Sequence, residues 1–122
     1  MKKNFNFLGI VVLFWNDSKK TIQCLKSLFA QEKLTSNIIL VDNNSDQIYS
    51  KKILNFLKKE KINYVKVKKN SVFKKTNKKK LFYIKNKINY GCGLGHNSGY
   101  EFCLKNNFEY IARIDNDMIA PK

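Results

Sequence analysis

Residues 7–15 read Phe-Leu-Gly-Ile-Val-Val-Leu-Phe-Trp, an apolar stretch without a charge or an alternation. A short run of that kind predicts a strand buried on both faces, as in a parallel sheet. Asp17 or Ser18 then caps a helix in which Ile22, Leu25, Leu28 and Phe29 recur at helical spacing. Residues 37–41, Asn-Ile-Ile-Leu-Val, predict a second strand that ends in the polar turn 42–46. A second amphipathic helix follows, with Ile53, Leu54 and Leu57 on one side and Lys51, Lys52, Lys58 and Lys59 around it. Residues 62–67 alternate loosely and predict a third strand; 68–80 form a basic loop without periodicity; 81–84 predict a fourth strand. A Gly-rich turn spans 89–99, and Ser98 with Glu101 matches a capping box for a helix reaching about Asn106. Residues 108–114 predict a last strand, ending on Asp115-Asn116-Asp117. Strands alternating with helices predict an α/β fold with a mainly parallel sheet flanked by helices.

At 122 residues the chain has the length of one domain. No apolar run approaches the roughly 20 residues that span a bilayer. The start Met1-Lys2-Lys3, followed by the first apolar run, imitates a signal peptide. No small-residue cleavage site follows, and a buried strand accounts better for the run. Cys24, Cys92 and Cys103 have neither zinc spacing nor an even disulfide count. Reduced thiols in a cytoplasmic protein are the simpler expectation.

Charge changes the picture in one region. The net charge is +15, yet residues 51–87 alone hold fifteen Lys, from Lys51 to Lys87, against a single acid, Glu60. Such a segment fits a solvated face, or contact with an anionic membrane or another polyanion. Of the 24 basic residues only Arg113 is Arg. Base readout and bidentate phosphate clamps favour Arg, so a specific nucleic-acid partner is not expected. Sixteen Asn accompany the Lys, and a compositional bias toward Lys, Asn and Ile favours the solvated face.

In an open parallel sheet, ligands bind outside the carboxyl ends of the strands. Three polar clusters fall there: 42–46, the Gly-rich stretch, and Asp115 to Asp117. Two carboxylates at a strand end suit a hard divalent cation that also takes phosphate oxygens; the bland alternative is a solvated turn. Asp42 can accept a hydrogen bond from a ring N–H of a nucleobase, or it can bond its own backbone as turn aspartates do. The stretch Gly91-Cys92-Gly93-Leu94-Gly95-His96-Asn97-Ser98-Gly99 lets backbone approach a ligand, and a following helix N-terminus favours anions. His96 reads as a turn or packing residue ahead of a base, and Cys92 as a poor nucleophile.

These clusters, in this order, resemble the N-terminal half of family 2 glycosyltransferases with the GT-A fold, and most closely their rhamnosyltransferase-like branch. The resemblance rests on Val11-Val12-Leu13-Phe14-Trp15-Asn16, on Thr21 with Cys24-Leu25-Lys26-Ser27-Leu28, and on Ile39-Leu40-Val41-Asp42-Asn43-Asn44-Ser45. It continues through 89–99 and ends on Tyr110-Ile111-Ala112-Arg113-Ile114-Asp115-Asn116-Asp117. It implies a nucleotide-sugar site made of Leu13, Phe14, Asp42, Asn44, Asn89, Gly91, Asn97 and Asp115. Asp42 would hold the base, and Asp117 with Asp115 would ligate Mn2+ or Mg2+. The donor would be a nucleoside diphosphate sugar, and the acceptor a polysaccharide or lipid-linked molecule glycosylated with inversion, in the cytoplasm or at the inner face of the membrane.

The resemblance also implies that residues 1–122 form only the donor half. The acceptor site and the general-base carboxylate would lie beyond Lys122, in a missing C-terminal half or a partner chain, so no catalytic residue is assigned. The basic insertion 68–80 has no counterpart in the family pattern. Two other readings remain. One is a non-catalytic module that binds anionic lipid or another anion through 51–87. The other is an S-adenosylmethionine-dependent methyltransferase fragment, suggested by Gly91-x-Gly93-x-Gly95 and opposed by the position of that loop so late in the chain.

Overall fold

The computed structural model describes residues 7–31, 36–73 and 80–121. The elements run β1 (Leu8–Phe14), α1 (Lys19–Phe29), β2 (Asn37–Asp42), α2 (Gln47–Lys59), β3 (Tyr64–Val67), β4 (Leu81–Lys85), α3 (Gly91–Lys105) and β5 (Tyr110–Asp115). The five strands make one sheet in the order β3-β4-β2-β1-β5, and every pairing is parallel. This is the α/β architecture that the hydrophobic pattern predicts.

Strand parity divides the core. Ile10, Val12 and Phe14 of β1 join Ile38 and Leu40 of β2 under α1 and α2, which contribute Leu25, Leu28, Ile53 and Leu57. Val11, Ile39 and Val41 face the other way and pack with Phe82, Phe102, Cys103 and Phe108 on the α3 side. Each fully buried Leu, Ile or Phe here contributes about 1.5–3 kcal/mol relative to exposure. Burial on both faces explains why β1 and β2 lack alternation: all six residues of β2 are buried.

Two expectations need correction. The Gly-rich stretch is not a turn: the turn is confined to residues 86–90, and α3 begins at Gly91. Ser98 is therefore not a cap but an interior helix residue, buried, with its hydroxyl donating to Asn86 Oδ1 at 2.8 Å. The glycines serve contact rather than turning. A Cβ on Gly99 would lie 2.5 Å from Val11 Cγ1, and one on Gly95 would lie 2.8 Å from Asn43 Nδ2. Their absence lets α3 settle onto β1 and the end of β2. Among the glycines, only Gly91, at φ +85, needs the conformational freedom of glycine.

At α1 both expected capping residues take part, in different ways. Ser18 holds the N-cap position without a side-chain bond. The Asp17 carboxylate accepts from the Lys20 N–H at 3.1 Å, satisfying one of the helix's free donors. The basic loop 68–80 is described only to Phe73 and at Lys80; its Lys74, Lys75, Lys78 and Lys79 lie outside the described residues, as does the Met1-Lys2-Lys3 start. No helix among the described residues is long and apolar enough to cross a membrane.

Candidate functional site

Register brings the polar clusters together. Leu13 at the end of β1 pairs with Asp115 at the end of β5, and Phe14 pairs with Asp42 at the end of β2. Beyond these ends lies a cleft of about 530 Å³. Leu13, Phe14 and Trp15 supply its β1 wall, and Arg113, Asp115, Asn116 and Asp117 its β5 wall. Asn89, Gly91, Cys92 and His96 close it from the start of α3, and Asn43 sits between. Of the residues singled out in the sequence, Leu13, Phe14, Asn89, Gly91, Asp115 and Asp117 thus meet in one place.

Asp42, Asn44 and Asn97 do not line it. Asp42 has the parity of Ile38 and Leu40, so its side chain turns under the sheet toward α2. It is 0% exposed. Its carboxylate accepts from the Ser45 N–H at 2.7 Å, from the Ser50 hydroxyl at 2.5 Å and from the Tyr83 hydroxyl at 2.5 Å. The Lys85 ammonium stands 3.5 Å away. Burial, then the Asp42 bond, push the Tyr83 phenol far above its usual range, so it stays a donor. Asn44 is exposed at φ +65 in the loop after β2. Asn97 belongs to a helix rather than a turn, and the helical step from His96 carries it to the outer face of α3, beside Tyr100, Glu101 and Leu104.

Asn43 is the residue that sequence reasoning missed. Following Asp42, it takes the opposite parity and ties the β2 end to the β4–α3 connection. Its amide donates to Asn89 Oδ1 at 2.9 Å and to the Gly91 carbonyl at 3.1 Å. Its Oδ1 accepts from Asn86 Nδ2 at 3.0 Å and from the Tyr90 N–H at 3.1 Å. One buried side chain therefore satisfies four groups and fixes the rear wall of the cleft. The available signal was the period of two: the residue after Asp42 must face the other way.

On the β5 side, the Asp115 carboxylate is well exposed and 3.9 Å from Arg113 Nε. The Arg113 guanidinium donates to Cys92 Sγ at 3.4 Å. Asn116 donates to Thr21 Oγ1 at 3.1 Å, anchoring the loop between the two aspartates to α1. His96 Nδ1 lies 2.7 Å from the Cys92 carbonyl. A carbonyl only accepts, so Nδ1 carries the proton and Nε2 is a lone pair, buried and without a partner. Burial pulls the His96 pKa below its ordinary value, against the raising effect of the Cys92 carbonyl bond.

Among the described residues no group of three or more His, Cys, Asp or Glu converges to hold a metal by itself. The donor set that does exist is two carboxylates one residue apart at the mouth of the cleft. It fits a hard cation that completes its shell with phosphate oxygens and water. The start of α3 faces the same space and offers a further attraction for an anion.

The family model described as glycosyl transferase family 2 matches residues 9–122. The crystal structure of S. aureus TarS 1-349 shares the fold, with a TM-score of 0.60 and 22% identity over 91% of this chain. A TarS 1-349 structure in complex with UDP matches with the same values. This chain spans 27% of the length of TarS 1-349 and 16% of a longer TarS structure. No curated protein matches the sequence.

Proposed function

The chain belongs to glycosyl transferase family 2, and from that premise we propose that its cleft binds a nucleoside diphosphate sugar for transfer to a polysaccharide or lipid-linked acceptor. The observation that carries this reading is the convergence of Asp115, Asp117, Leu13, Phe14, Asn89 and Gly91 on one cleft at the carboxyl ends of the sheet. The TarS structure holding UDP supports it by analogy of fold. Leu13 offers an apolar floor to the nucleoside, Phe14 keeps its ring in the core and meets the cleft only at the strand end, and Asn89 with Gly91 forms the wall toward the sugar. Asp117, aided by Asp115, holds Mn2+ or Mg2+. When bound, that cation neutralises the diphosphate and makes it a better leaving group.

In this reading the chain carries the donor side of an inverting reaction of the rhamnosyltransferase-like type. The carboxylate that takes the acceptor's proton is not assigned to any residue described above. The working place is the cytoplasm or the inner face of the membrane, where the basic 51–87 region meets anionic lipid.

The test is a titration of UDP, dTDP, GDP and CMP with and without Mn2+. A selective, metal-dependent affinity is expected, and Asp117→Ala should weaken it about tenfold or more, the loss of a charge-assisted contact. Equal binding by the parent and Asp117→Ala would remove the site assignment.

A further inference from the structure

A second cavity, of about 440 Å³, opens beside the first, between the ends of β3 and β4. Lys68, Lys69, Lys85 and Lys87 line it, with Asn86 and Tyr90, and no acidic residue lies on its described walls. We propose that this cavity is a separate anion site that takes a phosphomonoester or diphosphate group.

The cavity is built of fixed parts. The segment bearing Lys68 and Lys69 is pinned at its far end: Asn106 Oδ1 accepts from the Phe73 N–H at 2.7 Å, and Asn106 Nδ2 donates to the Ser71 carbonyl at 2.9 Å. Phe73 then packs edge-on against Phe82, with ring centroids 5.4 Å apart. Asn86 is buried and held by Asn43 and Ser98. Tyr90 closes one side, and the Lys69 ammonium stands 5.2 Å from its ring centre.

The charges divide into two kinds. Lys85 is engaged, with its ammonium donating to the Ser45 carbonyl and the Ser50 hydroxyl at 3.0 Å each and facing Asp42. It forms a wall. Lys68, Lys69 and Lys87 line the same cavity with no acid on its described walls, and the Lys69 ammonium lies over the Tyr90 ring. A phosphate placed there is attracted by all three charges. Lysine offers point charges rather than Arg's two-pronged geometry, so selection follows charge, diphosphate above monophosphate. The site shares its rear wall with the donor cleft, since Asn86 and Tyr90 both bond Asn43. It stands on the β4 side of that wall, away from Asp115 and Asp117, and the proposal does not depend on what the donor cleft binds.

The test uses inorganic pyrophosphate without divalent metal, titrated calorimetrically into the whole chain. Wild type should bind saturably. The triple variant Lys68→Ala, Lys69→Ala, Lys87→Ala should bind roughly tenfold more weakly or worse, by the loss of three attracting charges. A control triple, Lys19→Ala, Lys20→Ala, Lys58→Ala, removes equal charge elsewhere and should stay within twofold. Asp115→Asn with Asp117→Asn should leave pyrophosphate binding intact. Cooperative unfolding of each variant confirms that it is folded. Absence of saturable binding to wild type, parity between the two triple variants, or loss in the Asp115/Asp117 variant would each overturn the proposal. Vesicles separate the sources of the phosphate. Binding to phosphatidate but not phosphatidylcholine vesicles, displaced by pyrophosphate and lost in the cavity triple, assigns a lipid headgroup. Pyrophosphate binding without vesicle binding assigns a soluble phosphate.

Discussion

At the scale of single residues, the buried polar groups carry the sharpest consequences. Asp42 accepts three hydrogen bonds and faces one ammonium without touching solvent. Asp42→Asn keeps the shape but removes the charge and replaces one acceptor by a donor that meets the Ser50 and Tyr83 hydroxyls. A loss of about 1–3 kcal/mol in unfolding free energy is expected, read from urea denaturation. A variant as stable as the parent would show that the cluster is not a stabilising one. His96 gives the pH counterpart. Its folded pKa lies below the ordinary 6.5, so the unfolded chain binds the proton more readily. Stability from this group is complete above about 6.5 and is lost as pH falls through the lower folded value. The groups around it act in opposite directions, Arg113 lowering and Asp115 raising its pKa. His96→Gln should flatten the acid limb of a stability profile between about pH 7 and 5. An unchanged slope would assign that limb to other groups.

At the scale of elements, α3 tests the reading of its glycines. A Cβ at Gly93 meets nothing within 4 Å, whereas one at Gly99 meets the stiff, β-branched Val11. Gly93→Ala should therefore stabilise by up to about 1 kcal/mol through helix propensity. Gly99→Ala should destabilise by about 1–3 kcal/mol through overpacking. If both changed stability alike, close approach to β1 would not be the reason for glycine at 99. The same helix marks where sequence legibility ended. Gly91, Gly95 and Gly99 recur every four residues, a helical face, but a dense glycine cluster also resembles a turn, and local composition does not separate the two. Strand parity was the other blind spot. Contiguity located the β2 end correctly, yet whether Asp42 or Asn43 enters the cleft depends on which face of the sheet each occupies, and an unbroken apolar run conceals that. Asp115 and Asp117 escaped the ambiguity because they stand at and just beyond the strand end, where the loop opens toward the cleft. All five strands and both earlier helices were legible, because long apolar runs and helical spacing leave few alternatives.

At the scale of the whole molecule, the two edges of the sheet are unequal. The β3 edge carries an exposed Lys66 and leads into Lys68 and Lys69, and charge of that kind discourages the addition of a foreign strand. The β5 edge carries charge too, but Arg113 and Asp115 stand 3.9 Å apart and offset one another, and its Tyr110 end has no lysine. β2 is buried throughout, but β5 alternates between exposed and half-buried. Its first residue, Tyr110, is 56% exposed and packs edge-on against Phe7, itself 58% exposed, with ring centroids 5.1 Å apart. Met118 and Ile119 add exposed apolar surface just past its end. Against this stands a net charge of +15, which repels a second copy. The balance depends on screening, whose range falls from about 30 Å at 0.01 M salt to about 8 Å at 0.15 M. Sedimentation should therefore show a monomer at low salt and reversible self-association as salt rises. Anion binding at the lysine cavity should instead weaken as salt rises, because screening reduces attraction between charges. Tyr110→Lys adds an uncompensated charge at the β5 edge and should suppress the association, while Lys66→Ala, on the other edge, should leave it unchanged. Association that weakens with salt, or that survives Tyr110→Lys, would place the contact on a charged face of the molecule and away from this edge.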